Sequence, residues 1–189
     1  MKYTCMLLVA VCGHISLNYA QVNTPIQNTV VISENKQPML LGHCTISKLK
    51  EEPFDSWFVP NYTNYKPDSS LLTDVAKAIR KKHIDIFMGT WCGDSKREVP
   101  AMLKILNAIG FDSVDISLIA VGNNAELYKK SPQGEELGKN IVRVPTFIIY
   151  DKKKEIGRII EYPVESLERD LLKILRKEPY IPNYHQLRL

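Results

Sequence analysis

The spacing of apolar and polar residues predicts alternating helices and strands from Ser70 to near the end of the chain. Helical spacings of three and four residues mark three amphipathic segments, and short apolar runs between them are typical of buried strands. The predicted helices cover about 70–82, 96–109 and 163–176, and the predicted strands cover 83–88, 115–121, 146–150 and 155–161. A short helix is predicted over 123–130, with a polar loop after it over 131–140. This order fits a mixed α/β sheet covered on both faces.

Residues 21–69 carry a weaker pattern and are interpreted as an N-terminal extension. Thr29–Ile32 is a candidate edge strand, and a short helix is predicted within 39–50. Residues 51–67 combine five aromatic side chains with three prolines, which predicts an ordered but irregular segment. That segment either packs as a satellite of the core or forms one wall of a substrate groove.

The first 20 residues have the pattern of a secretory signal. Lys2 precedes a short apolar core over 5–13, and Ala20 is a candidate cleavage point. The apolar core is too short to cross a bilayer, so no transmembrane span is expected. The alternative is a lipoprotein signal that ends at Cys12. Either way we expect an exported protein that works in the periplasm or cell envelope.

Composition and charge exclude several classes of protein. The chain has 189 residues, of which 44% are hydrophobic and 24% charged, as in an ordinary soluble domain. Its formal net charge of +4 falls to +3 without residues 1–20, since these contain one base and no acid. So small an excess gives no reason to expect a nucleic-acid partner. The run of three lysines at 152–154 is interpreted as the solvated turn of a hairpin.

Removal of the signal would leave two cysteines, Cys44 and Cys92. Two are too few for a disulfide framework or a four-ligand zinc site. Cys44 is either a small buried apolar residue or a remote resolving thiol for Cys92. His43 beside Cys44 makes only a weak metal-binding pair, and we expect neither a metal nor a cofactor.

Cys92 lies at the point where chemistry is most expected. It follows the predicted strand 83–88 and directly precedes a predicted helix. The first turn of a helix has unsatisfied backbone N–H groups and the positive end of the helix dipole. Both favour the thiolate, which is the reactive form of cysteine. Lys96 and Arg97 would add to this effect, whereas the carboxylate of Asp94 would oppose it.

The stretch Trp91–Ser95 resembles the Trp-Cys-Gly-Pro-Cys active site of the thioredoxin family, with Ser95 in place of the second cysteine. Pro100 lies eight residues after Cys92, where thioredoxins have a proline that kinks the helix. Val144–Thr146 is similar to the loop that carries the cis-proline of that family. Three matches in the right order make a specific resemblance.

The resemblance covers about residues 70–176 and implies a thioredoxin-like fold. We therefore expect a thioredoxin-like domain over 70–180 and a C-terminal tail over 181–189. Thr90–Pro100 as a whole resembles exported single-cysteine thioredoxin-like proteins of the Bacteroidetes type. A full thioredoxin fold also has a first sheet strand that the pattern before Ser70 does not show.

The resemblance assigns roles to individual residues. Cys92 would be the catalytic nucleophile. Ser95 would either donate a hydrogen bond to its thiolate or be an ordinary first-turn residue of the helix. Pro145 would be cis and lie against the sulfur, where it would hinder metal binding. The residues expected to contact the substrate are Trp91, Gly93, Asp94, Val144 and Pro145.

Two departures from the family pattern bear on the mechanism. Serine cannot form a disulfide, so a mixed disulfide on Cys92 would have to be released by an external thiol or by a substrate thiol. Thioredoxins also carry a buried acid six residues before the first cysteine, and here that position is Ile86. Asp85 is next to it, but strand alternation directs its side chain to the other face of the sheet.

The expected activity is thiol–disulfide exchange with proteins or small molecules that carry a disulfide or a thiol. The alternative is a non-catalytic binding module that holds client proteins in its cis-proline groove. A peroxide-reducing thiol enzyme is a weaker third interpretation, because the residues around Cys92 lack the activating arginine and threonine that such enzymes use.

Overall fold

Six strands form one mixed sheet in the computed structural model, which describes residues 27–188. In chain order they are β1 (Thr29–Ile32), β2 (Pro38–His43), β3 (Lys82–Met88), β4 (Ile116–Ala120), β5 (Thr146–Asp151) and β6 (Lys154–Ile160). Their order across the sheet is β1-β2-β4-β3-β5-β6. β3 and β4 are parallel, and all other neighbouring pairs are antiparallel. The predicted mixed α/β fold is confirmed.

Four helices connect or follow these strands. They are α1 (Asp55–Asn64), α2 (Ser69–Ala78), α3 (Gly93–Ala108) and α4 (Leu167–Arg176). The predicted starts of two of them are wrong. Asp68, rather than Ser70, caps α2, because its carboxylate accepts a hydrogen bond from the Ser70 N–H. Ser166 caps α4 three residues after the predicted start at Pro163. No helix within residues 27–188 is both long and apolar enough to span a bilayer.

All four helices pack against one face of the sheet. Along β3, the side chains of Ile84, Ile86 and Met88 point into this helix-side core and are fully buried. Because side chains alternate along a strand, Asp85 and Phe87 point to the opposite face. Burying a large apolar side chain contributes about 1.5–3 kcal/mol, so this layer is the main source of stability.

The opposite face is covered by a long loop. Five buried residues form a loop-side core there: Phe87, Ile119, Val121, Val144 and Ile148. The partly buried residues Trp91, Cys92, Ile141 and Tyr150 pack against this core. The segment 123–130 consists of turns, so the short helix predicted for it is wrong. The polar loop predicted over 131–140 is confirmed.

The N-terminal extension contributes more to the fold than its sequence pattern predicts. The candidate strand Thr29–Ile32 is confirmed as β1, and β2 supplies the strand that seemed to be missing before Ser70. The short helix predicted within 39–50 is limited to a single 3-10 turn at Lys48–Lys50, and β2 occupies the first part of this range. Residues 51–67 are also more regular than predicted, because most of them form α1 with Pro60 inside it.

The aromatic side chains of α1 belong to the main core. Phe54 and Phe58 are almost completely buried in the helix-side core, and the rings of Phe58 and Tyr62 stack with centroids 5.7 Å apart. These three residues follow each other at spacings of four, which places them on one helix face. The segment is therefore an integral part of the core.

Asp170 explains where α4 begins. Its buried carboxylate accepts hydrogen bonds from the backbone N–H groups of Val164 and Glu165, at 2.6 and 3.1 Å, and from the Tyr180 hydroxyl at 2.9 Å. The two N–H groups are thus satisfied by a side chain instead of by helical geometry. This carboxylate fixes the segment before α4 and the segment after it.

We expect Asp170→Asn to destabilise the protein by about 3 kcal/mol, because breaking a buried charged network leaves donors unsatisfied. Asp74→Asn is the matched control, since Asp74 pairs with Arg176 on the exposed surface and such pairs contribute less than about 1 kcal/mol. Urea unfolding of the two variants measures the difference. Equal decreases in the free energy of unfolding of the two variants would contradict a structural role for the Asp170 carboxylate.

Candidate active site

Cys92 is the N-cap residue of α3. Its backbone is extended, with φ −89° and ψ 128°, and its carbonyl accepts the first helical hydrogen bond from the Lys96 N–H at 3.0 Å. The Cys92 N–H donates to Gly89 O at 2.9 Å, which closes the turn after β3. The side chain is half-buried and makes no capping bond. The thiol therefore stands at the positive end of a sixteen-residue helix.

The second part of the site is the loop before β5. The Val144–Pro145 peptide bond is cis, as the resemblance implies. The Cys92 thiol donates a hydrogen bond to Val144 O, with Sγ and O 3.2 Å apart. The structure thus brings together Cys92, Val144 and Pro145, which the sequence separates by about fifty residues.

Trp91 fixes the loop that carries Cys92. Its indole N–H donates to Val121 O at 2.8 Å, and its ring lies 6.1 Å from the ring of Tyr128. Gly89 lies directly under the indole, so that a Cβ on this residue would come within 2.6 Å of Trp91 Cε2. A glycine is therefore required by the close approach of the ring.

Ser95 is completely buried on the first turn of α3. Its Oγ accepts a hydrogen bond from the Gly89 N–H at 3.1 Å. The predicted bond from Ser95 to the Cys92 thiolate is not among the contacts of the described residues. Because the serine points into the core, its observed contact stabilises the turn between β3 and α3.

Charged residues near Cys92 are largely occupied with one another. Arg97 donates to Asp94 at 2.7 Å and to Glu98 at 2.6 Å, so the guanidinium is committed to two carboxylates. Burial of Glu98 raises the pKa of its carboxyl group, even though Arg97 opposes this shift. The opposite charges of Asp94 and Arg97 that the sequence places near Cys92 are therefore paired with each other. Gly93 is exposed and has open space beside it.

Two clefts lie on either side of the Trp91 ring. The Cys92 cleft has a volume of about 250 Å³ and is lined by Trp91, Cys92, Tyr128, Lys129, Arg143, Val144 and Glu161. The second cleft, of about 280 Å³, separates Trp91 from the turn between β1 and β2. Trp57 and Lys96 line it, with the Lys96 ammonium 5.9 Å from the Trp57 ring. The aromatic segment thus also forms one wall next to the site.

The C-terminal tail packs against Arg143 of the Cys92 cleft, a contact that the sequence pattern did not predict. The ring of Tyr184 lies 4.9 Å from the guanidinium carbon of Arg143 and meets Tyr162 edge-on at 6.3 Å. Asn183 anchors the tail by donating to Tyr162 O at 3.0 Å. Hydrogen bonding of Tyr184 to Glu161 and Tyr162 raises the pKa of its hydroxyl to about 12. No local periodicity in 181–189 signals these long-range contacts.

Cys44 is remote from Cys92. It is buried in the helix-side core, where its thiol donates to Leu118 O at 3.6 Å and desolvation raises its pKa to about 12. Leu118 of β4 pairs with Ile86 of β3, so Cys44 is two strand spacings, about 10 Å, from β3. Cys92 lies beyond the carboxyl end of β3. A disulfide requires Cα atoms within about 7 Å, which this fold does not provide for the pair.

The acid next to the family's buried-acid position points to the face of the sheet opposite to Ile86, as predicted. Asp85 points to the loop side of the sheet, where it accepts from Lys139 at 2.5 Å and lies 2.9 Å from His83 Nε2. Ile86 is fully buried in the helix-side core. Among residues 27–188, no three His, Cys, Asp or Glu side chains are grouped to hold a metal ion.

We expect iodoacetamide at pH 8 to label one thiol in the folded chain from Gln21 onwards, which contains Cys44 and Cys92 as its cysteines. Cys44 should resist because it is buried and its pKa is raised to about 12, so that it stays protonated at pH 8. Peptide mapping by mass spectrometry should place the label on Cys92. Urea should expose the second thiol, and equal labelling of both cysteines in the folded protein would contradict the structure.

Comparison with known proteins is consistent with this architecture. A family model described as thioredoxin matches residues 60–172, which is more than half of the chain. No curated protein matches the sequence. An HIV epitope scaffold is 15% identical, covers 66% of this chain and 86% of its own, and has a TM-score of 0.47. A protein of unknown function from Pseudomonas aeruginosa is 16% identical, covers 65% and 81%, and has a TM-score of 0.44. By the family match, this chain belongs to the thioredoxin family.

Proposed function

We propose that this protein is an exported thiol–disulfide exchange protein that works through a single thiol, Cys92. One observation carries the proposal: the thiol lies at the N-terminus of α3 and within 3.2 Å of the carbonyl that precedes cis-Pro145. The first places the sulfur at the end of the helix where backbone N–H groups are unsatisfied, and the second places it beside a backbone edge. The thioredoxin family match supports a redox role.

The exchange begins when the Cys92 thiolate attacks one sulfur of a substrate disulfide. A bond forms between Cys92 Sγ and that sulfur, the substrate S–S bond breaks, and the other sulfur leaves as a thiolate that takes up a proton. A second thiol then attacks the mixed disulfide and releases Cys92 as a thiolate. One disulfide replaces another, so the cycle needs no further oxidant or reductant.

The single-thiol mechanism is supported by the surroundings of the other candidate groups. Cys44 is buried about 10 Å from β3 and has a raised pKa, so it is a poor resolving thiol. Ser95 is bonded to the Gly89 N–H and has no sulfur to form a disulfide. The second thiol of the cycle would then come from solution or from the substrate itself.

Substrate binding would use the two loops that meet at Cys92. The backbone of Val144 would pair with an extended substrate segment, which is a common way for a peptide to add to an exposed backbone edge. Gly93 has open space beside its own Cα, and Trp91 would form an apolar wall. Asp94 is about one-third exposed and would contact the substrate at the rim.

Export is the second part of the proposal. It is supported by the signal-like first 20 residues, which lie outside the residues that the structure describes. The proposed site of action is the periplasm or cell envelope, as in the single-cysteine Bacteroidetes-type proteins that Thr90–Pro100 resembles. We expect the native protein to begin near Gln21, which mass spectrometry of its N-terminus would reveal. An intact Met1 would refute export, and a lipidated Cys12 would indicate a membrane-anchored form.

Ser95→Cys tests the exchange mechanism directly. Cys92 is the N-cap residue and residue 95 the third residue of α3, the positions at which the two cysteines lie in the thioredoxin motif that Trp91–Ser95 resembles, so we expect a cysteine at 95 to reach Cys92. We expect the mixed disulfide of the variant with hydroxyethyl disulfide to decay at a rate independent of added thiol. The mixed disulfide of the wild type should decay at a rate proportional to the concentration of added thiol. The increase in the rate of internal release would be partial, because Ile86 provides no buried acid to deprotonate the new thiol.

Cys92→Ala combined with Ser95→Cys is the control, and it should show neither internal release nor an internal disulfide. Stopped reactions analysed by intact-protein mass spectrometry measure both rates. A wild-type protein that forms no mixed disulfide would favour the alternative of a non-catalytic binding module. If Ser95→Cys forms no internal disulfide, residue 95 does not approach Cys92 as this geometry requires.

A further inference from the structure

The walls of the Cys92 cleft carry an excess of positive charge. Lys129 and Arg143 supply two cations, and Glu161 supplies one carboxylate. Asp94, the other acid close to Cys92, is paired with Arg97 outside the cleft. A substrate that enters the cleft therefore meets one net positive charge beside the reactive sulfur, and the small volume keeps that charge close to it.

Arg143 is held in a fixed orientation within this wall. One face of its guanidinium lies against the Tyr184 ring, 4.9 Å from its centroid, and Nη1 donates to Val142 O at 3.3 Å. Nε is 3.8 Å from the Glu161 carboxylate, which is an ion-pair distance but too long for a hydrogen bond. Nη2 makes no described contact with residues 27–188, and the side chain is 39% exposed. A guanidinium held this way can still donate to an incoming carboxylate.

The position of Arg143 relates it directly to the sulfur. Arg143 precedes Val144, whose carbonyl oxygen is 3.2 Å from Cys92 Sγ. Arg143 and Cys92 line the same cleft of about 250 Å³, so a carboxylate bound to the guanidinium would lie close to the sulfur. A carboxylate bound there would belong to the same residue as the substrate sulfur or to its neighbour.

Lys129 is a second cation on the same wall. Its ammonium donates to Val142 O at 2.7 Å, the carbonyl that Arg143 also contacts, and lies 4.7 Å from the Tyr128 ring. Both cations are therefore anchored to one backbone group at the mouth of the cleft. This arrangement adds long-range attraction for an anion, which salt would screen.

We propose that Arg143, assisted by Lys129, forms a carboxylate-binding subsite that makes Cys92 select disulfides with a carboxylate near the reacting sulfur. The proposal rests on the exchange function proposed above and names its substrate class. The carboxylate comes either from an acidic residue next to a protein cystine or from a small disulfide. Arg143 contacts the substrate in this account, whereas Tyr184 is a positioning residue that acts through Arg143.

Three small disulfides of similar length test the selectivity: dithiodipropionate, which is anionic, hydroxyethyl disulfide, which is neutral, and cystamine, which is cationic. Each rate is divided by the rate of free 2-mercaptoethanol with the same disulfide, which removes the difference in leaving-group pKa. For the wild type we expect this normalised rate of mixed-disulfide formation to be about 3- to 30-fold higher with the anion than with the cation, as expected for a partly exposed charge contact. The ratio should shrink as salt rises from 50 mM to about 500 mM.

Arg143→Gln should lose most of this preference, because the carboxylate of the anionic probe loses its charged partner. Arg80→Gln is the matched control, because it removes an exposed arginine near the opposite end of β3. It should retain the wild-type ratio. A wild type whose normalised rates are equal for all three disulfides would overturn the subsite and leave the exchange function intact.

Alkylation separates failure of the subsite from failure of the exchange function. Iodoacetate and iodoacetamide both transfer a carbon to the Cys92 thiolate with loss of iodide, and they differ mainly in charge. Arg143→Gln should lower the ratio of the iodoacetate rate to the iodoacetamide rate by about 3-fold or more, and Arg80→Gln should not. An unchanged ratio would overturn the subsite. A lowered ratio in a protein that exchanges with no disulfide would support the subsite and refute the exchange function.

Synthetic cystine peptides identify the source of the carboxylate. One peptide carries glutamate on both sides of each cysteine, and the matched peptide carries glutamine. A preference for the glutamate peptide that Arg143→Gln abolishes would assign the subsite to acidic protein segments. A preference confined to dithiodipropionate would assign it to small carboxylate disulfides. No preference in either pair would refute the proposal.

Discussion

The antiparallel pairing of β3 with β5 is the constraint on which the site depends. Phe87, near the end of β3, pairs with Thr146 at the beginning of β5. The turn that follows β3 and the loop that precedes β5 must therefore emerge at the same edge of the sheet. That geometry brings Cys92 within hydrogen-bond distance of Val144 O. Everything else at the site, from the indole of Trp91 to the cations of the cleft, is arranged around this meeting of two loops.

The two faces of the sheet have different roles. The helix-side core holds the strands and helices together, and it receives Ile86, Ser95 and Cys44 as buried residues. The loop-side core packs against Cys92, and the tail contacts Arg143 of the Cys92 cleft. Ile86 and Ser95 belong together in this account, because a site without a second thiol has no need of a buried acid to deprotonate it. The two departures from the thioredoxin pattern thus describe one chemical change.

Much of this architecture could be predicted from the local pattern of apolar and polar residues, and each wrong prediction has a physical cause. The β3 run and the amphipathic spacing of α3 were sufficient to place Cys92 at a strand–helix turn. The run that forms β2 has only six residues, and periodicity cannot distinguish so short an apolar segment from a buried helix turn. α1 was missed because Pro60 normally breaks a helix interior, although the spacing of Phe54, Phe58 and Tyr62 was a usable signal.

The parts of the site that sequence did not predict depend on tertiary contacts. Arg143, Glu161 and Tyr184 are close in space only because β5, β6 and the tail converge, and no motif joins them. Ser95 was placed correctly on the first turn of α3, but its hydrogen-bond partner depends on how deeply that turn is buried. Side-chain partners of this kind follow from packing, which a pattern of apolar positions does not specify.

The central claim is that Cys92 acts alone. Exchange with a model disulfide, measured in Cys44→Ala and in Cys92→Ala and followed by peptide mapping of the oxidised wild type, tests it most directly. The account predicts wild-type exchange in Cys44→Ala, none in Cys92→Ala, and no bond between the two cysteines after oxidation. Loss of exchange in Cys44→Ala together with a mapped Cys44–Cys92 disulfide would contradict it and establish a two-cysteine mechanism.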